Sequence, residues 1–460
     1  MKRFIAALTA MSLLWAPPAA AQGQQQQGPS ILRDAETEAM FADMIAPLAK
    51  AAGLNPRDVK VMLISDEDIN AFTAGGQTIY VNSGLIFAAD NANEVQGVLA
   101  HELGHVADGH VILSDAGIRP AVGITLLSML LGVAAMAAGA GEAGAGIMAA
   151  GQQAALGKYL AFSRVQEATA DATGLRFLNA SGITGRGMLS FFKKLAQQEY
   201  RYGLANIDPF MQTHPLSSAR ITTLTADVQA SPAYNIRPSG DLEERFRRIK
   251  AKLKGYALPV QRTLADYPET DQSIYAHYAR AYAYHKGGQP ERADAEAAAL
   301  VHARPTDPYF LEVQGQILLE AGKPRQAIVP LRAATEGSRY NPLIATTFGH
   351  ALIATEDRAN FPEATRVLRS AVSRDDENPF AWYQLGTVYE LTGDTARAAL
   401  ATAERASMTG DNRTAQTSAR YAMANIPANT PDWIRAQDIA MTAQNATCAD
   451  PRTRRQRQCR

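Results

Sequence analysis

A chain of 460 residues is long enough for two or three domains and too long for a single core. Lysine plus arginine and aspartate plus glutamate each total 45, so there is no net charge and no sign of a nucleic-acid partner, which calls for a basic surface. The two cysteines, Cys448 and Cys459, both sit at the C-terminal end. They could close a small loop in an oxidising compartment or stay as free thiols in a tail.

Residues 1–21 read as a signal peptide: Lys2 and Arg3, an apolar run from Phe4 to Trp15, then Ala19-Ala20-Ala21 as a cleavage site. This predicts export, to the periplasm in a Gram-negative host. Residues 22–30, with glutamine from 24 to 27, form a polar linker. Apolar residues recur at helical spacing from Ile31 to Asn55, and Val59–Ile64 is strand-like. Asn70–Leu85 reads NAFTAGGQTIYVNSGL, a hairpin turning at Gly75-Gly76. Thr78, Ile79, Tyr80 and Val81 are expected to form an edge strand that binds substrate by strand addition, with a plain core hairpin as the alternative.

Asn91–Gly109 is a predicted helix, with Asn91 and Glu94 in capping-box spacing. No charged residue lies between Arg119 and Glu142. That run is long enough to cross a bilayer, but one crossing would separate functional residues on its two sides. The expectation is a helical hairpin over 121–157 that packs on the first domain or dips into a membrane surface, with a two-span membrane hairpin as the alternative. Helix resumes over Lys158–Leu178, and His214 lies in a loop fixed by Pro215, with Arg220 opening the next helix. Pro232–Gly240 looks like a boundary, closing a first domain at 31–235, with connecting helices over 236–272.

Beyond lies a repeat array. Ala281, Gly315, Gly349 and Gly386 step by 34, 34 and 37, and Ala293, Ala327, Ala364 and Ala398 by 34, 37 and 34. Asp307-Pro308, Asn341-Pro342 and Asn378-Pro379 mark the joins. A period of about 34 residues with a small residue in each helix predicts four tetratricopeptide repeats over 273–408. Capping helices over 409–447 and a tail at 448–460 would follow.

The chemistry concentrates in His101-Glu102-Leu103-Gly104-His105. Histidines at i and i+4 share a helix face and can hold two corners of a zinc tetrahedron. Asp108 and Val111 stand where a metzincin would need glycine and histidine, so the third ligand comes from elsewhere. Glu167 completes a two-histidine, one-glutamate set, and Asp171 one turn later can orient a ligating imidazole from the second layer. One Zn²⁺ per chain is expected. Glu102 is placed as general base toward a water activated by the metal. His214 is either an oxyanion stabiliser or a fourth ligand that silences the site, and Arg220 could add charge to the same step.

NAFTAGGQTIYVNSGL, HELGH with His110 downstream, SRVQEATAD and HPLSSAR together resemble the HtpX and CAAX-prenyl-protease superfamily of zinc metallopeptidases. Within it the chain is similar to BepA-type periplasmic proteases with C-terminal tetratricopeptide repeats. The resemblance implies that His101, His105 and Glu167 bind zinc, that Glu102 is the catalytic acid/base, and that His214 can cap the metal. It also implies unfolded or stalled outer-membrane proteins as substrates, and the β-barrel assembly machinery as a partner docked by the repeats. Thr169 departs from the pattern, since relatives often carry a second acid there. The predicted fold class is α+β, mostly α: a gluzincin-like zinc metalloprotease domain followed by an all-α tetratricopeptide-repeat solenoid. An alternative function is a client-binding chaperone or adaptor with a latent, histidine-capped site.

Overall fold

The computed structural model describes residues 30–110, 124–131, 133, 141–202 and 214–449. The expected signal peptide, nearly all of the polar linker, much of the apolar insert and the tail with Cys459 lie outside the described residues.

The chain enters as a strand, β1 (Ser30–Leu32), where its periodicity suggested helix. Helix α1 (Ala35–Ala51) starts only after Asp34, whose carboxylate accepts from the Thr37 backbone N–H at 2.9 Å. β2 (Lys60–Ser65), β3 (Ala71–Thr73) and β4 (Thr78–Asn82) complete a four-stranded sheet in the order β1-β2-β4-β3. β2 and β4 run parallel, with Val61 opposite Ile79 and Leu63 opposite Val81. These four side chains are buried beneath α1.

This order corrects the expected substrate edge. Thr78, Ile79, Tyr80 and Val81 are internal, paired with β2 on one side and β3 on the other. Gly75 and Gly76, both at positive φ, fold β3 back onto β4 and make β3 the outer strand. Among the described residues Ala71–Thr73 is therefore the free edge on that side, and it packs beside the histidine helix.

α2 (Ser83–Ala88) leads to α3 (Ala92–Ala107). The Asn91 side chain caps α3 by accepting from Glu94 N–H at 3.0 Å. Glu94 reaches back to the Asp90 N–H at 2.8 Å, one residue before the cap where a capping box would place it. α4 (Gly141–Ala180) and α5 (Arg186–Tyr202) pack on α3, and α6 (Ser218–Ala230) packs on α4 and α5. Among the described residues of the insert, a helical stretch at 124–131 meets the first part of α4 where Ser128 faces Gly151. A β-carbon on Gly151 would fall 2.0 Å from that of Ser128, a measure of how closely the two arms meet. Leu126, Leu127 and Leu130 face outward. Among the described residues, no helix is long and apolar enough to cross a membrane.

α7 (Gly240–Ala257) joins the two halves. Phe246, Ile249 and Leu253 enter the core of the first half, while Arg248 and Lys252 turn to the repeats. Arg248 pairs with Glu36 at 2.7 Å and with Asp307 at 2.7 Å, and the Tyr278 hydroxyl donates to Glu36 at 2.8 Å. Lys252 pairs with Asp34.

Antiparallel helix pairs then stack in series, beginning at Ile274–Lys286 with Pro290–Ala303. Asp307, Asn341 and Asn378 cap helices whose first residue is Pro308, Pro342 or Pro379. Gly315 and Gly349 admit the partner helix of their own repeat: a β-carbon there would lie 2.4 Å from Leu331 and 2.5 Å from Leu368. The longer third repeat takes up its extra residues in a 3-10 turn at Arg358–Asn360.

Candidate metal centre

The site rests on the crossing of α3 and α4. Gly104 lies inside the HELGH run and Gly174 faces it from α4. A β-carbon on either would meet opposing backbone oxygen at 2.7 Å. Only glycine allows so close an approach, and it brings Glu167 and Asp171 against the two histidines.

His101 Nε2 lies 3.2 Å from His105 Nε2, and 3.4 Å from a Glu167 oxygen. His105 Nε2 lies 3.4 Å from the other Glu167 oxygen. His214 enters from the loop before α6, its Nδ1 3.3 Å from His101 Nε2 and 3.1 Å from Glu167. All four side chains are buried, and one donor atom from each falls within 4.8 Å of every other. Ligands about 2.0–2.1 Å from a tetrahedral zinc ion are spaced about 3.3 Å from one another. The spacings here match that figure, and imidazole nitrogen with carboxylate oxygen is a zinc donor set. The residues therefore fit such an ion.

The surrounding polar groups hold these donors in place. Asp171 accepts from His101 Nδ1 at 2.9 Å, leaving Nε2 to face the cluster. Arg220 donates twice to Asp171, at 2.8 Å each, once to the Pro215 carbonyl at 2.8 Å, and pairs with Glu167 at 3.0 Å. Its guanidinium is thus consumed in fixing Asp171, Glu167 and the His214 loop. This geometry gives Arg220 a positioning role, where the expectation was charge added to the catalytic step. Glu102 is buried, with Oε1 3.5 Å from His214 Nε2.

Electrostatics favour one added positive charge. Burial works against a proton on His101, but bonds to Asp171 and Glu167 outweigh it and push the ring up to about 9. Burial and the charge of His101 push His105 down to about 2. Burial raises the Glu167 carboxyl, yet His214 and His101 hold it well below the usual carboxylate range. Burial pushes Glu102 up, partly offset by His214 and His101. A pocket with room for one cation among several donors is the field a metal ion needs.

His110 was read from the sequence only as a residue at the helix end. Gly109, at φ 68°, turns the chain so that His110 Nδ1 comes 2.9 Å from His105 Nδ1. The signal was a third histidine just past the helix-ending glycine, and spacing alone gave it no partner. Gly104 and Gly174 were likewise missed as the residues that set the crossing.

Comparison with known proteins agrees with this centre. Residues 34–228 match the family model described as peptidase family M48. The chain is 33% identical over 202 residues to metalloprotease LoiP of Escherichia coli strain K12, covering 43% of this chain and 73% of that one. It is 27% identical over 303 residues to the beta-barrel assembly-enhancing protease of the same strain, covering 63% of this chain and 60% of that protein. The protein of that description from Yersinia pestis is 24% identical over 362 residues, covering 76% and 71%. A solved tetratricopeptide-repeat protein, YrrB, covers 38% of this chain and 91% of its own at 20% identity and a TM-score of 0.32.

Proposed function

The chain belongs to peptidase family M48, and from that premise we propose that it is an exported zinc endopeptidase acting on misfolded or stalled envelope proteins. The observation that carries the proposal is the tetrahedral spacing of donors from His101, His105 and Glu167 beside the buried Glu102 carboxyl. These three residues would hold the ion. Zinc bound there supplies Lewis-acid polarisation of a carbonyl and activation of water. Glu102 accepts the proton from the attacking water and delivers it to the leaving amine. Asp171 and Arg220 keep the ligands aligned. Ala71–Thr73, the free edge beside α3, is where an extended substrate adds as a further strand.

The signal-like pattern of residues 1–21 supports a periplasmic location. The likeness to proteases named for β-barrel assembly supports outer-membrane clients and a role beside the assembly machinery, with the repeats as the docking part.

His214 supports a second reading, a gated site. Its Nδ1 stands at the fourth corner of the cluster, 3.3 Å from His101 Nε2, where substrate water would otherwise bind. A capped site is latent until the loop moves, and a latent enzyme can also serve as a client-binding chaperone.

The test is cleavage of an unfolded barrel protein by the purified full chain. Glu102→Gln should retain metal and lower turnover by about 10²–10⁴-fold. His214→Ala should raise it. Undiminished cleavage by Glu102→Gln would remove the peptidase mechanism, and an unchanged His214→Ala rate would remove the cap.

A further inference from the structure

A cavity of about 490 Å³ opens between the first half and the repeats, far from the histidines in chain position. One wall is β1 with the residues after it, a second is α7, and the third is the inner face of the repeat helices. Ile31, Tyr256 and Phe380 stand exposed at its rim. Among the described residues β1 is the outermost strand on this side, paired only with β2, and its Ile31 and Leu32 line the cavity. An open strand edge accepts extended polypeptide backbone.

The charges specify more. Arg33 is shared by Glu38 and Asp375, Arg248 by Glu36 and Asp307, and Lys252 by Asp34 and Glu36. Each of these bases thus answers two acids or more, Arg248 also reaching Glu244 at 3.9 Å. Glu312, on the cavity wall, remains over. Its Oε2 is buried without a hydrogen-bond partner, and among the described residues no ion pair reaches it. A carboxylate placed so is unfavourable unless a cation joins it. Tyr256, Tyr282 and Phe380 supply aromatic surface along the same cavity, which suits a cation and its alkyl stem.

We propose that this cavity binds an extended polypeptide segment through a lysine or arginine side chain, with Glu312 as its counter-charge and β1 as the backbone template. That the segment belongs to a substrate rests on the peptidase reading; the binding does not. The two edges of the sheet then divide the work, with β1 holding the client and β3 presenting it to the metal centre. They are about 14 Å apart, the width of three strand spacings.

The experiment is fluorescence anisotropy on the full chain carrying Glu102→Gln, which holds a peptide without turning it over. The probes are a fluorescein-labelled decapeptide alternating valine and threonine with one central arginine, and the same peptide with citrulline, which keeps the shape and removes the charge. The arginine peptide should bind about tenfold tighter, the strength of a charge-assisted contact, in buffer near pH 8.5. Adding Glu312→Gln should bring the two peptides to equal affinity. Phe380→Ala, at the exposed rim, should weaken both alike. Equal binding without the Glu312 change, discrimination that survives it, or indifference to Phe380→Ala would each overturn the proposal. Cleavage that ignores Glu102 would overturn the peptidase reading alone, since anisotropy needs no turnover.

Discussion

Two buried charge clusters differ in how completely they close on themselves. Around the metal centre the ligands and their supports are answered, Asp171 by His101 and Arg220, Glu167 by Arg220 and His214, His105 by His110, while Oε1 of the proton-transfer residue Glu102 is left without a hydrogen bond. At the junction with the repeats, acids outnumber bases and Glu312 is left over. The first arrangement spaces its donors 3.1–3.4 Å apart around a space for one ion. The second leaves an unpaired carboxyl group beside a space sized for a side chain. A closed cluster suits chemistry, which needs preorganised donors. An open one suits recognition of varied clients, which needs an unsatisfied contact and little else.

Substitutions should separate the two. The largest effect is expected from Glu167→Gln, which removes an anionic donor from the centre. Purified protein should lose nearly all bound zinc by elemental analysis, and cleavage with it, while the cavity still discriminates the charged peptide. Retention of one zinc per chain would break the contrast at its closed end. A smaller effect is expected from Asp171→Asn. His101 Nδ1 keeps a hydrogen-bond acceptor but loses the anion, and Arg220 loses one of its two anionic partners. Zinc affinity, measured against a competing chelator, should fall by about 10–100-fold. Affinity equal to wild type would mean that Arg220 and Asp171 merely pack beside the ligands.

The same contrast explains what the sequence disclosed. The histidine pair was legible because helical periodicity puts His101 and His105 on one face whatever surrounds them, and Glu167 and Asp171 obey the same rule on α4. The repeats were legible because Gly315 and Gly349 recur for a steric reason, the approach of Leu331 and Leu368. The edge strand was not: Thr78–Val81 looks like any half-buried strand, and only the pairing with β2 makes it internal. The first strand was misread as helix because Ile31 and Leu32 fit both periods, and Asp34 as a cap decides where α1 begins. The junction was invisible because Asp34, Arg248, Asp307 and Glu312 have no local spacing in common. Their meeting depends on how α7 sets one half against the other.

The smallest effect concerns the open cluster, and its sign follows from one group. Burial pushes the Glu312 carboxyl up to about 8, with Lys252 pulling it down and Asp34, Glu36 and Glu38 adding to the rise. In the unfolded chain the same group ionises near 4.5. Between these values the unfolded state releases a proton that the folded state keeps, so stability declines as pH rises through that window and levels off above it. Glu312→Gln is neutral at every pH and escapes the decline. Its melting temperature should match wild type near pH 5 and exceed it near pH 8.5. An equal gap at both values would mean that Glu312 is ionised throughout, already paired by a cation, and that the junction is as closed as the metal centre.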